Sequence, residues 1–103
     1  PTARVAPDAK LSGGTVVGEG AFVAEGTRIV GSTILPGAVI EPGAVVTDSL
    51  VGNGARVGRR SVVTGTVIGD GAVVGADNEL REGVRVWCDA RIPAGAVRFS
   101  SDQ

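Results

Sequence analysis

Aliphatic positions recur along this chain on a fixed step. Advancing 17 residues at a time from Val17 reaches Ile34, Val51 and Ile68. Six residues further in each unit stand Val23, Ile40, Val57 and Val74, and six beyond those stand Ile29, Val46, Val63 and Leu80. Gly20, Gly37, Gly54 and Gly71 keep the same register, each followed by an alanine (Ala21, Ala38, Ala55, Ala72). A short period shared by core candidates, turn glycines and small residues is the mark of a stacked repeat, and it takes precedence over any residue-by-residue assignment.

Within the unit the local step is six residues, aliphatic-x-x-Gly-small-x, as in Val17-Gly18-Glu19-Gly20-Ala21-Phe22. The inward series extends from Val5 and Leu11 at one end to Val86 and Ile92 at the other. Three steps are five residues long (Ile29 to Ile34, Val46 to Val51, Val63 to Ile68), so two sixes and one five make the 17. Each hexapeptide reads as a short strand and a turn. The aliphatic side chain points inward and its neighbours outward, because side chains alternate across a strand. Pro36-Gly37 and Pro42-Gly43 suit type II turns, in which proline presets the first central φ and glycine accepts a positive second one. The small residue after each turn (Ala21, Thr27, Ala38, Ala44, Ala55, Ser61, Ala72, Asn78) suits a crowded corner.

Three strands close one triangular coil, and successive coils stack as parallel strands about 4.8 Å apart. The pattern predicts an all-β parallel β-helix of about five coils, the first and last incomplete. A sandwich of short strands would not impose a shared 17-residue register, and a chain with 17 glycines among many valines is poor helix material.

Composition narrows the function. At 103 residues the chain reads as a single domain spanning 1–103, with 97–103 a terminal cap and Phe99 its plug. The repeat is already under way at Val5 without a cover, so the expectation is the C-terminal part of a longer chain. Neither a membrane-spanning run nor a signal-peptide pattern is present. A net charge of −1 with interspersed signs, and only three aromatic residues, argue against a nucleic-acid or anionic-membrane partner. The single cysteine, Cys88, fits a cytoplasmic setting and is expected to be buried as a small hydrophobe.

The chain contains no histidine. Hexapeptide-repeat acyltransferases use one as general base, and carbonic anhydrases of this fold hold a metal with three. Neither chemistry is supplied here, and the carboxylates Glu41 and Asp48 read as solvated turn residues rather than substitutes. No grouping of Cys, Asp and Glu meets metal-ligand spacing. Gly18-Glu19-Gly20 and Gly69-Asp70-Gly71 lack the following helix that a phosphate loop requires, so they are repeat turns. The threonines, Thr15, Thr27, Thr33, Thr47, Thr64 and Thr66, form no two-column array of the kind that orders ice. The sequence thus assigns no catalytic, cofactor-binding or metal-binding residue to this segment.

The outward positions carry more signal. On the strand that opens each 17-residue unit they are Val16, Thr33, Leu50 and Val67, followed by Gly18, Leu35, Gly52 and Gly69. This face is flat, apolar and almost uncharged, which marks an interface. Val16, Thr33, Leu35, Leu50 and Val67 are its candidate residues, facing a partner domain or another copy.

The coils Thr15-Val16-Val17-Gly18-Glu19-Gly20-Ala21, Ser49-Leu50-Val51-Gly52-Asn53-Gly54-Ala55 and Thr66-Val67-Ile68-Gly69-Asp70-Gly71-Ala72 resemble the C-terminal β-helix of sugar-1-phosphate nucleotidyltransferases. The ending, Val86-Trp87, Ile92-Pro93-Ala94-Gly95 and Arg98-Phe99-Ser100-Ser101-Asp102, is similar to that of actinobacterial mannose-1-phosphate guanylyltransferases. The resemblance implies a left-handed coil. It also implies a non-catalytic scaffold and oligomerisation role beside an N-terminal nucleotidyltransferase domain in the same chain. Mg²⁺ and the catalytic residues are expected in that domain, with none in this segment. A free-standing hexapeptide assembly protein and an acyltransferase-like subunit without its own histidine are the alternatives.

Overall fold

A computed structural model describes residues 3–97 of the chain. Among them sixteen strands of two or three residues alternate with turns. The strands sort by every third position into three parallel sheets. Sheet A contains β1 (Arg4–Val5), β4 (Phe22–Val23), β7 (Val39–Ile40), β10 (Arg56–Val57), β13 (Val73–Val74) and β16 (Arg91–Ile92). Sheet B contains β2 (Lys10–Ser12), β5 (Arg28–Val30), β8 (Val45–Thr47), β11 (Val62–Thr64) and β14 (Glu79–Leu80). Sheet C contains β3 (Val16–Val17), β6 (Thr33–Ile34), β9 (Leu50–Val51), β12 (Val67–Ile68) and β15 (Arg85–Val86). The chain therefore visits A, B and C in turn and rises one coil per circuit.

The register is the one the sequence dictates. Ile34 pairs with Val51, Ile40 with Val57 and Val46 with Val63, so each inward column is an unbroken stack of aliphatic side chains. From Val23 through Leu80 every member of that series is buried. In the first coil, which among the described residues packs on one neighbouring coil, Val5 is 40% and Leu11 37% exposed. Between coils the strands exchange backbone hydrogen bonds, for example from the N–H of Leu35 to the carbonyl of Val51 (2.9 Å) and from the N–H of Gly52 to that of Ile68 (2.8 Å).

The turns between sheets have a common construction. The N–H of Ala38 donates to the carbonyl of Leu35 (3.2 Å) across Pro36-Gly37, and Gly37 sits at φ 75°. The eight small residues predicted to follow turns are all buried. At the turn from A to B two coils place side chains where glycine is the easy choice: Arg60 (φ 57°) and Asp77 (φ 61°). They stack on one another and pair through two contacts, Nε–Oδ1 at 2.8 Å and Nη2–Oδ2 at 2.9 Å. The hydrogen bond to Asp77, then its charge, holds the Arg60 guanidinium above its ordinary pKa.

The five-residue corner from B to C has an internal ladder. The N–H of Ser49 donates to Ser32 Oγ (3.0 Å), and the N–H of Thr66 donates to Ser49 Oγ (3.1 Å). Each hydroxyl in turn donates to a carbonyl two residues back: Ser32 to Val30, Ser49 to Thr47, Thr66 to Thr64. Thr66 and Thr27 are thus buried and hydrogen-bonded within the coil, not part of a surface row. At the far end the buried amide of Asn78 ties down the last coil. It donates to the carbonyls of Gly75 (2.9 Å) and Pro93 (3.0 Å) and accepts from the N–H of Val97 (2.8 Å). The expected cap at 97–103, with Phe99 as plug, lies outside the described residues apart from Val97.

Candidate interface

Sheet C aligns Val16, Thr33, Leu50 and Val67 in one column, and the half-buried Leu35 follows at the end of β6. Backbone register aligns Val16 with Thr33, Thr33 with Leu50, Leu50 with Val67, and Val67 with Arg85. The alternation of strand side chains turns this column outward while Val17, Ile34, Val51 and Ile68 fill the core. Val16 (58%), Leu50 and Val67 are exposed, and Thr33 is half-buried.

The residues that follow the inward aliphatics form a second column, Gly18, Leu35, Gly52, Gly69 and Trp87, of which only Trp87 is exposed. Its glycines are sterically required. A Cβ on Gly52 would come within 2.6 Å of the Asp70 backbone nitrogen, and one on Gly69 within 2.6 Å of that of Cys88. Where glycine stands, the next coil packs directly on its backbone; Leu35 is half-buried and Trp87 is exposed. Trp87, 79% exposed, is the most exposed large hydrophobic side chain among the described residues. It completes the face, yet it falls outside the candidate residues read from the sequence. The signal was present: Ile68 pairs with Val86 at an offset of 18 residues, so the residue after Val86 continues the glycine column.

Cys88 is exposed, contrary to expectation. It lies in the turn after β15, beyond the inward Val86, where the chain has left the core. Elsewhere the polar side chains pair locally. Arg56 meets Glu41 at 2.7 Å, and the other Glu41 oxygen accepts the N–H of Arg59 (3.2 Å). Asp70 accepts both the backbone N–H and the side-chain amide of Asn53. Among the described residues no three of His, Cys, Asp and Glu converge on a point where a metal ion could be held. No helix of the structure is long and apolar enough to cross a membrane. What the surface offers is shape: one flat apolar face with an aromatic residue and an arginine at one end.

Fold and register define a left-handed parallel β-helix of the hexapeptide-repeat class. The chain belongs to the GMPPB C-terminal domain family, whose model matches residues 1–100. That membership agrees with the C-terminal hexapeptide-repeat domain of a mannose-1-phosphate guanylyltransferase-like protein. Among solved structures it is similar to PerB from Caulobacter crescentus, determined in complex with CoA and GDP-perosamine. The two share 31% identity and a TM-score of 0.90 over 95% of this chain and 49% of that one. The acetyltransferase domain of PglB from Neisseria gonorrhoeae FA1090 matches at 17% identity and TM-score 0.66, over 95% and 57% of the two chains. A hexapeptide transferase family protein from Anaplasma phagocytophilum matches at 19% and 0.61, over 84% and 70%. These last two share the fold alone. The chain spans about half the length of PerB, and no curated protein matches it.

Proposed function

We propose that this chain is the non-catalytic C-terminal scaffold of a sugar-1-phosphate nucleotidyltransferase. The parent reaction joins a nucleoside triphosphate to a sugar 1-phosphate and releases pyrophosphate, with GDP-mannose as the product of choice. The observation that carries the reading is the family match over residues 1–100. The lack of any histidine supports it from the side of chemistry. In this reading the catalytic residues and Mg²⁺ belong to an N-terminal domain of the same polypeptide, in a cytoplasmic enzyme. Sheet C is the surface through which the scaffold makes its contacts, and the assembly is a homo-oligomer.

The test is the mass of the native polypeptide, by immunoblot with an antibody raised to this segment. A band several times the 10.2 kDa of this chain is expected, and the enzyme so identified should form GDP-mannose from GTP and mannose 1-phosphate. A band at the size of the segment would overturn the reading and leave a free-standing assembly protein. The similarity to PerB, solved with CoA and GDP-perosamine, favours one other reading: an acyltransferase-like subunit that takes its general base from elsewhere. Calorimetric titration with CoA separates the two, since the scaffold should show no heat of binding.

A further inference from the structure

We propose that Asn53 is a site of spontaneous deamidation, that Asp70 of the next coil holds the reaction off in the folded molecule, and that the conversion loosens the corner from sheet C to sheet A.

The chemistry starts from the sequence. An asparagine followed by glycine is prone to attack on its own side-chain amide, because glycine has no side chain to hinder the approach of its nitrogen. Of the two asparagines in the chain, Asn53 is the one followed by glycine. Gly54 N bonds to Asn53 Cγ and gives up its proton; the Cγ–Nδ2 bond breaks and ammonia leaves. Water then opens the succinimide ring, at Cγ to give aspartate or at the main-chain carbonyl to give isoaspartate. Water is the one co-reactant. Asn78 is the contrast within the same chain. It precedes Glu79, is buried, and has its amide engaged with Gly75, Pro93 and Val97.

The fold exposes Asn53 and restrains it at the same place. Asn53 and Gly54 are both exposed, the central residues of a turn closed by the N–H of Ala55 donating to the carbonyl of Gly52 (3.1 Å). A Cβ added at Gly54 would meet no atom beyond its chain neighbours within 4 Å, so no other side chain screens that side of the peptide. Three hydrogen bonds oppose the reaction. The N–H of Gly54 donates to the carbonyl of Pro36 in the coil before (3.1 Å), which turns the nucleophile away. Asp70 Oδ1, in the coil after, accepts from the N–H of Asn53 (2.8 Å) and from its Nδ2 (3.3 Å). One carboxylate oxygen thus fixes main chain and side chain together. Its charge also disfavours the oxyanion that forms on Asn53 Oδ1 during attack.

The product suits the corner less well than the reactant. Aspartate at 53 sets a second carboxylate where a donor stood 3.3 Å from Asp70 Oδ1, and like charges that close repel. Isoaspartate also lengthens the main chain by one carbon. Gly52, directly before it, is buried, and a Cβ there would already come within 2.6 Å of the Asp70 nitrogen. The longer chain therefore bulges outward, and the Asn53 carbonyl, which accepts from the N–H of Gly71 (2.9 Å), is displaced with it.

Peptide mapping by mass spectrometry after incubation at mildly alkaline pH tests the site. Trypsin releases Asn53 in a peptide of residues 29–56, which holds no other side-chain amide, so a shift from amide to acid there reports Asn53 alone. The chain and its Asp70→Ala variant are each followed folded and in urea. In urea both should convert quickly and equally, because residues 53 and 70 no longer meet. Folded wild type should convert roughly a hundredfold more slowly, since only local opening frees the Gly54 nitrogen. Asp70→Ala should restore about tenfold of that, the worth of hydrogen bonds to a charged acceptor. Glu19→Ala, at the same turn position two coils earlier, should leave the rate at Asn53 unchanged, and circular dichroism checks that each variant keeps its coil. Folded wild type converting as fast as the chain in urea, no conversion in urea, or Asp70→Ala indistinguishable from wild type overturns the proposal. The converted fraction, separated by its added negative charge, should exchange the amide hydrogens of Gly54 and Gly71 faster than fresh protein. Equal exchange overturns the loosening.

Discussion

The middle of this solenoid and its two ends are built from the same repeat but obey different arithmetic. From Val17 to Leu80 neighbouring coils are offset by 17 residues, as in the pairing of Ile34 with Val51. At both ends the offset is 18: Val5 pairs with Val23, and Val74 pairs with Ile92. The extra residue falls at the corner from sheet B to sheet C. In the middle that corner is tight and carries the buried hydroxyl ladder of Ser32, Ser49 and Thr66. In the last coil Val84 stands in the ladder's position, and Thr66 ends it by donating to the Arg81 carbonyl (3.1 Å). The tight corner thus belongs to the inner coils. In the first and last coils of the described residues the corner has six residues, with Leu11 37% exposed in the one and Val86 buried in the other.

The sharpest way to break this comparison is to truncate one core side chain in each region. Ile40→Ala, at a fully buried position, should cost about 2–5 kcal/mol, since it removes apolar burial and leaves a cavity between flanking coils. Leu11→Ala, at a position 37% exposed in coil one, should cost under about 1 kcal/mol. Denaturant unfolding followed by far-ultraviolet circular dichroism gives both values, and equal costs would show that the ends are as well packed as the middle.

Asn78→Ala addresses the C-terminal end. It removes one of two donors from the carbonyls of Gly75 and Pro93, which keep Ser61 Oγ and the N–H of Ala96, and it takes the acceptor from the N–H of Val97, so it should cost about 1–3 kcal/mol. Amide exchange should quicken in the last coil well before it does around Val46. Ser49→Ala interrupts the ladder at its centre and should cost about 1–2 kcal/mol by the same measure. Uniform exchange across the molecule would then mean that the corner is not the local support described here.

The smallest effect is expected at Arg60. Glycine there removes the strain of a long side chain in the left-handed region and also removes an exposed ion pair with Asp77. The strain term is the larger, so Arg60→Gly should raise the melting temperature slightly, with little dependence on salt. A fall that vanishes in high salt would show that the ion pair prevails.

Much of this architecture is legible in the sequence because the repeat states each requirement several times. The inward aliphatics, the small post-turn residues and the five-residue corners all stand where the spacing of Val17, Ile34, Val51 and Ile68 places them. What was not legible is what happens once or changes with position. Nothing in the composition separates Thr66, which is buried and bonded to its own coil, from Thr64, which is exposed. Arg60 and Asp77 occupy positive-φ positions for which the pattern offers glycine, and their mutual pairing appears only when two coils are stacked. The exposure of Cys88 follows from register: two residues after the inward Val86, it occupies the turn position held by Glu19, Pro36, Asn53 and Asp70, which is exposed in every coil. The candidate residues Val16, Thr33, Leu50 and Val67 align in one column, and Trp87 escapes a 17-residue count because Val86 pairs with Ile68 at an offset of 18.

The alignment of columns has a consequence for what this molecule is as an object. Because a step of 17 residues returns the chain to the same face at the same depth, one coil can be removed or copied without disturbing the others. Deleting Val39–Ala55 should shorten the stack by about 4.8 Å. The solenoid is in that sense a graduated spacer, and the number of its coils sets how far apart it holds whatever is joined to its two ends.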